Sequence, residues 1–146
     1  MLIDNKKAYF DYEILEKFDA GIELLGTEVK AIRTKKASLE GSHVTVRGGE
    51  AYIVGMNINP YQEKNIPEGF DATKNRRLLL TKKEILALSG HENQKGLTLV
   101  PLSLYNKKRL IKLSFAIARG KKQHDKRETI KKREVNRTLR REELDR

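Results

Sequence analysis

From Ala8 to Leu24 the even positions Ala8, Phe10, Tyr12, Ile14, Phe18, Ala20, Ile22 and Leu24 are apolar, only Glu16 breaks the series, and most odd positions are polar. A period of two held over this length predicts one long half-buried strand or two joined strands, with Gly21 marking a bulge or bend. Gly26-Thr27-Glu28 ends the alternation, and Leu25, Val29 and Ile32 fall at helical spacing. A short helix is expected there, with Thr27 as its N-cap, Glu28 in its first turn and Lys30 and Arg33 facing outward. Val44 and Val46, the turn signal Gly48-Gly49, then Ala51 and Ile53 read as a hairpin over 42–54. Residues 57–74, with Pro60, Pro67 and Gly69, read as a loop with one short strand at most.

The pair Arg76-Arg77 leads into Leu78-Leu79-Leu80, and Thr81-Lys82-Lys83-Glu84 is a capping box that opens a helix through Leu88 ending at Gly90. Two apolar runs, 97–105 and 110–118, flank Asn106-Lys107-Lys108-Arg109, and in the second Ile111, Leu113, Phe115 and Ile117 alternate with Lys112, Ser114 and Ala116. This is a hairpin with a basic tip. About six short strands, two or three short helices and no βαβ rhythm predict a mainly β fold. The fold class expected is a small antiparallel OB-like β-barrel, residues 1–118, with a basic C-terminal tail, residues 119–146.

Charge changes the picture most in that tail. From Arg119 to Arg146 there are 12 Lys/Arg against 6 Asp/Glu, so more than half of the chain's net charge of +11 lies in its last 28 residues. Its apolar residues Ile130, Val135, Leu139 and Leu144 spread around a helical wheel and form no stripe. On the same wheel Lys122, Lys126, Arg133, Arg137 and Arg140 lie within about 60° of one another, a ridge suited to phosphates. Asp125 and Glu128 have the spacing of a helix N-terminus. A helix is therefore encoded without a face to bury, which is expected of a segment that is disordered alone and folds on its partner.

A sequence pI near 9.8 points to a polyanionic partner, and without an apolar face on the tail, nucleic acid is favoured over a membrane surface. The chain has no cysteine and three histidines, His43, His91 and His124, without ligand-like spacing, so no metal and no cofactor are expected. No leader-like segment or spanning run is present, and a soluble, cytoplasmic protein is expected. The acidic residues are scattered on alternating strand faces or paired with lysines, which disfavours an RNA-processing enzyme.

Together these stretches resemble one family, the SsrA-binding proteins or small protein B (SmpB). The resemblance is carried by Asn5-Lys6-Lys7-Ala8, Tyr12-Glu13-Ile14, Phe18-Asp19-Ala20-Gly21, Gly26-Thr27-Glu28-Val29-Lys30, Arg77-Leu78-Leu79-Leu80, Lys95 through Leu102, Leu104-Tyr105, and Ala118-Arg119-Gly120-Lys121-Lys122 through Asp125-Lys126-Arg127. It implies a non-enzymatic barrel that holds the tRNA-like domain of transfer-messenger RNA (tmRNA), and a tail that becomes helical in the ribosome's empty mRNA channel and decoding site. Stalled ribosomes would thereby be rescued and their nascent peptides tagged. The implied partners are tmRNA and the ribosome, with elongation factor Tu and alanyl-tRNA synthetase reached indirectly through the RNA and the protein itself monomeric. A general basic OB-type ribosome or translation-factor RNA binder is the alternative.

Carried over by position, the resemblance places RNA contacts in the barrel at Asn5, Asp19, Leu79 and Lys112. It places tail determinants at Gly120, Lys121, Lys122, His124, Asp125, Lys126 and Arg127, and the tail cations Lys131, Lys132 and Arg133 extend them. Lys30, Arg33, Arg76 and Arg77 are further cationic candidates. Asp19 stands where the family usually has Glu, Arg77 where it has Lys, Ala72 where it has Pro and Asn106 where it has an aromatic residue. On strand alternation alone Lys112 faces outward, opposite Ile111 and Leu113, and one leucine of the 78–80 run must do the same. Glu28 is read as a first-turn carboxylate favoured by the helix dipole and stays off the binding set. His124 offers a flat ring for stacking where the arm becomes a helix.

Overall fold

The computed structural model describes residues 2–60, 71–92, 94, 96–121, 127, 130, 131, 133 and 134. Its elements run β1 (Ile3–Asp4), α1 (Lys6–Asp11), β2 (Tyr12–Ile22), α2 (Gly26–Arg33), β3 (Ala37–Ser38), β4 (His43–Arg47), β5 (Glu50–Val54), β6 (Asn57–Ile58), β7 (Arg76–Leu79), α3 (Lys82–Glu92), β8 (Leu97–Lys107) and β9 (Leu110–Gly120). Every strand pairing is antiparallel, in the order β8-β4-β5-β7-β2-β9. The last strand pairs back on β8, so the sheet closes on itself and leaves no long open edge in the ring. β1 adds to the far half of β8, and β3 and β6 form a separate two-stranded ribbon. A mainly antiparallel β architecture is thus what the alternation predicts.

The interior is filled from every strand of the ring, with Ala20, Val44, Ile53, Leu78, Leu99 and Phe115 all in one cluster. Ala31 and Ile32 of α2 and Leu88 of α3 join it, which is how two short helices with little stability of their own are held. Phe18 stacks on Phe115 at 5.7 Å between ring centroids, tying β2 to β9 at mid-barrel.

A second, smaller cluster lies outside the ring beneath α1. Ala8, Val100, Leu102, Ala116 and Ala118 are buried there, with Tyr12 and Ile14 packed against them. Two register shifts create it, one in β2 between Ile14 and Glu16, the other in β8 between Pro101 and Ser103. An extra residue in a strand exchanges its faces. Even positions of β2 therefore serve the outer cluster up to Ile14 and the barrel interior from Phe18 onward, while Leu15 is left exposed.

Four expectations are corrected. Residues 6–11 are a helix, not the start of the strand, and Ala8 is the one residue that this helix buries, against Val100, Leu102, Ala116 and Ala118. The bulge falls at Leu15, not at Gly21. Thr27 does not cap α2, which begins at Gly26 with Glu28 Oε1 accepting from the Leu25 amide at 2.9 Å. Nor does α3 stop at Gly90; it runs to Glu92, and the left-handed glycine that follows is Gly96. Its start is as read, with Thr81 N donating to Glu84 Oε1 at 3.1 Å and Glu84 N to Thr81 Oγ1 at 3.2 Å. Both predicted hairpins form, and Gly48 and Gly49 take the positive φ of 59° and 76° that a two-residue turn demands.

Candidate nucleic-acid interface

Register brings together residues that lie far apart in the chain. On β2, Gly21 stands opposite Leu79 of β7 on one side and Lys112 of β9 on the other, and Lys112 in turn stands opposite Tyr105 of β8. Directly paired residues point to the same face. A four-residue row thus crosses four strands of the barrel exterior, and Asp19 shares that face two positions before Gly21. A β-carbon on Gly21 would sit 3.3 Å from Leu79 Cβ and Cδ1, so the glycine is the floor on which the Leu79 side chain lies. Leu79 is nevertheless 53% exposed, while its neighbour Leu78 fills the core.

The polar end of the row is held by one bond, Tyr105 Oη donating to Asp19 Oδ1 at 2.9 Å. The short aspartate therefore has a fixed direction and a second oxygen left to accept from a base amino group or a ribose hydroxyl. Desolvation raises the Tyr105 pKa above 10.0, and the hydrogen bond to Asp19 and its charge raise it further. Because the folded value lies above the unfolded one, the stabilisation is complete below pH about 10 and is lost as pH rises beyond it. Following the Tyr105 ring carbon by NMR through an alkaline titration should show late ionisation. Asp19→Asn should bring the midpoint part of the way down, since burial remains. A Tyr105 midpoint at the ordinary value in both proteins would refute the contact.

Asp19, Leu79 and Lys112 are thus brought together, and Asn5 is not. Its side chain is buried and its amide nitrogen donates to Pro101 O at 2.9 Å, fastening the N-terminal segment to β8. Asn5 also lines an open cleft of about 320 Å³ between α1 and the start of β4, with Asp11, Tyr12, Ser42 and Thr98.

The cationic candidates divide by environment. Lys30 and Arg33 are exposed on α2. Arg77 is half-exposed and pairs with Glu50 at 3.3 Å. Arg76 is the correction: only 3% exposed, it places Nε 2.6 Å from Glu28 Oε2 and donates to the carbonyls of Met56, Lys74 and Ala72. All its donors point into the protein, which removes it from the surface set. Glu28 is buried as well, and beyond its place in the first turn it clamps α2 to β7.

At the start of the tail, β9 continues two residues past the expected boundary, Gly120 pairing with Tyr12. Lys121 then fastens the exit point to α1, its amide donating to Asp11 O at 2.8 Å and its ammonium to Tyr9 O at 3.2 Å. Arg127, Lys131 and Arg133 are helical and exposed, and the Arg133 guanidinium lies 5.9 Å from the Phe10 ring centroid. Lys122, His124, Asp125, Lys126 and Lys132 lie outside the described residues. Among the described residues no cluster of three metal-ligating side chains occurs, and no helix is long and apolar enough to cross a membrane.

Tyr105 and Gly21 were not singled out from sequence as parts of this face. The pairing of Tyr105 with Asp19 spans 86 positions and needs the register.

The chain matches the family model described as "SmpB protein" over residues 2–144. It is 47% identical over 141 residues to an SsrA-binding protein of Gloeothece citriformis, covering 97% of this chain and 91% of the relative. It is 46% identical over 137 residues to an SsrA-binding protein of Mycoplasma mycoides subsp. mycoides SC, covering 94% and 93%. Its structure is similar to a chain of the solved structure described as "tmRNA-SmpB: a journey to the center of the bacterial ribosome", with a TM-score of 0.70, 41% identity and coverage of 88% and 93%.

Proposed function

The chain belongs to the SmpB family, and from that premise we propose that it binds the tRNA-like domain of tmRNA through the barrel face around Gly21 and enables rescue of stalled ribosomes through its tail. The observation that carries this reading is the convergence of Asp19, Leu79 and Lys112 on one exterior face. The three supply different parts of RNA recognition. Lys112 offers a phosphate contact, Leu79 an apolar platform for an unstacked loop base, and Asp19 a directed acceptor that phosphate would avoid but a base or ribose edge can meet. Asn5 stands apart from this face, in the cleft beside α1, and would serve RNA binding from there by fastening the N-terminal segment to β8.

The tail carries the second half of the function. Empty, the mRNA channel and decoding site give its basic ridge a phosphate-lined path in which helix formation is repaid by contacts; filled with messenger, they deny it. Gly120, Lys121, Lys122, His124, Asp125, Lys126, Arg127, Lys131, Lys132 and Arg133 are the residues assigned to that step. The protein would act as a monomer in the cytoplasm, where ribosomes translate, meeting elongation factor Tu and alanyl-tRNA synthetase only through the RNA they share.

Binding of a labelled tRNA-like domain by Lys112→Ala and Leu79→Ala across a salt series tests the barrel half. Lys112→Ala should weaken binding and lower the salt slope by about 1. Leu79→Ala should weaken binding with the slope unchanged, because it removes contact area and no charge. Wild-type affinity in both variants would return the face to ordinary solvated surface, and equal affinity for the tRNA-like domain and an unrelated RNA duplex would favour a general RNA binder.

A further inference from the structure

Described cations without a carboxylate within 4.0 Å occur around the barrel, Lys6, Arg47, Lys82, Lys83 and Arg119 among them, but at one corner five such cations gather. Lys7, Lys74, Arg76 and Arg77, spread over α1 and the β7 side of the barrel, all have carboxylate partners within 4.0 Å. Arg33, Lys35, Lys107, Lys108 and Arg109 have none among the described residues, and they occupy one corner. Arg33 Nη2 donates to Arg109 O at 3.1 Å, so the exposed end of α2 is tied to the tip of the β8–β9 hairpin. Lys35 Nζ donates to Leu2 O at 2.8 Å, beside the strand pairing of Leu2 and β8 through Leu104. Asn106 to Leu110 are all exposed.

Five cations held close without counter-charges repel one another, and the fold keeps them there with two side-chain-to-carbonyl bonds. A polyanion relieves that repulsion. The tip is also continuous with the row described above: Lys107 stands opposite Leu110, and Tyr105 opposite Lys112, on the same face of the hairpin. Two residues along a strand is about 7 Å, so one nucleic-acid backbone lying along the hairpin passes both.

We infer that the β8–β9 hairpin tip, braced by Arg33 and Lys35, is a second phosphate-binding surface that engages the sugar-phosphate backbone of the same RNA whose loop is held at Leu79, Lys112 and Asp19. The inference rests on the barrel reading of the preceding section and extends it from one lysine to a track. It predicts that the barrel reads its RNA partly as a duplex rod, by charge and spacing and without base contacts at the tip.

The test is a salt series on the labelled tRNA-like domain with the full-length triple variant Lys107→Gln, Lys108→Asn, Arg109→Gln. Asparagine is chosen at 108 because Lys108 has φ 58°, which asparagine tolerates. The control is Lys82→Gln, Lys83→Gln, two exposed cations on α3 away from this corner. Each lost phosphate contact removes about 0.7–0.9 from the slope of log K against log salt, so the triple variant should lose about 2–3 and the control nothing. Equal slope losses in both would show diffuse charge and overturn the inference. So would an unchanged slope on the tRNA-like domain combined with lost cosedimentation with vacant ribosomes, which would give the tip to ribosomal RNA. Lys112→Ala and Leu79→Ala measured alongside separate the cases: if they weaken binding while the triple variant does not, the barrel reading stands and this one falls.

Discussion

Arg76→Ala is expected to destabilise the barrel by about 3–5 kcal/mol, the usual cost of leaving one partner of a buried ion pair alone, and to lower the thermal midpoint by roughly 10–20 °C. Arg76 and Glu28 are both almost fully enclosed, and the guanidinium closes three backbone carbonyls besides the carboxylate. Removing it leaves Glu28 in a dry site with only the half-exposed Lys74 ammonium, 3.7 Å from Oε1, as counter-charge, and three acceptors unsatisfied. Glu28→Ala should cost a similar amount, because it strands the arginine and also takes the acceptor from the Leu25 amide. The double variant Arg76→Met, Glu28→Leu should cost far less than the two single losses added, since a pair replaced by apolar volume leaves no lone charge. Urea unfolding of the three proteins decides it; single-variant losses below about 1 kcal/mol would mean that water reaches the pair. RNA binding should suffer in the single variants as well, because Arg76 begins the four-residue strand that ends at Leu79.

A chain stopped after Lys121 is expected to bind the tRNA-like domain nearly as well as the full chain and to support no peptide tagging on a stalled ribosome. Stopping there retains the Gly120 pairing and both Lys121 bonds to α1, so the barrel keeps its seams. What goes is a cationic segment whose described residues, Arg127, Ile130, Lys131, Arg133 and Glu134, are all exposed. Fluorescence binding and an in vitro tagging assay on the same preparations separate the two functions. A loss of RNA affinity of about a hundredfold or more, as several missing phosphate contacts produce, would make the tail an electrostatic arm and not a sensor of the channel.

Much of the fold was legible because alternation and turn chemistry are local. Gly48-Gly49, the capping box at Thr81 and the Ile111 to Ile117 series each determine their element within a few residues. The entry into β2 was misread for a physical reason: even positions are apolar on both sides of Leu15, yet a bulge turns one half outward beneath α1 and the other half inward. A period-two pattern cannot register that exchange when both faces are covered. Arg76 was misread for a different one. Successive strand residues point to opposite faces, so one arginine of the 76–77 pair had to face inward, but its partner lies 48 positions upstream on a helix. Leu79, Lys112 and Asp19 came from family resemblance; that they share one face follows from register, which no local signal specifies.

Closure of the ring has a consequence for the order in which the protein is made. The last seam joins Tyr12–Gly21 to Lys112–Gly120, nearly the whole barrel apart in sequence. The β4–β5 hairpin can form as soon as it is synthesised, but the strands that seal the cylinder and carry Lys112 are translated last of all the barrel. Until then β2 keeps an unpaired edge. A ribosome that stalls on this message before residue 120 therefore holds a half-open sheet, so a shortage of the finished protein exposes its own nascent chains to the failure it would relieve.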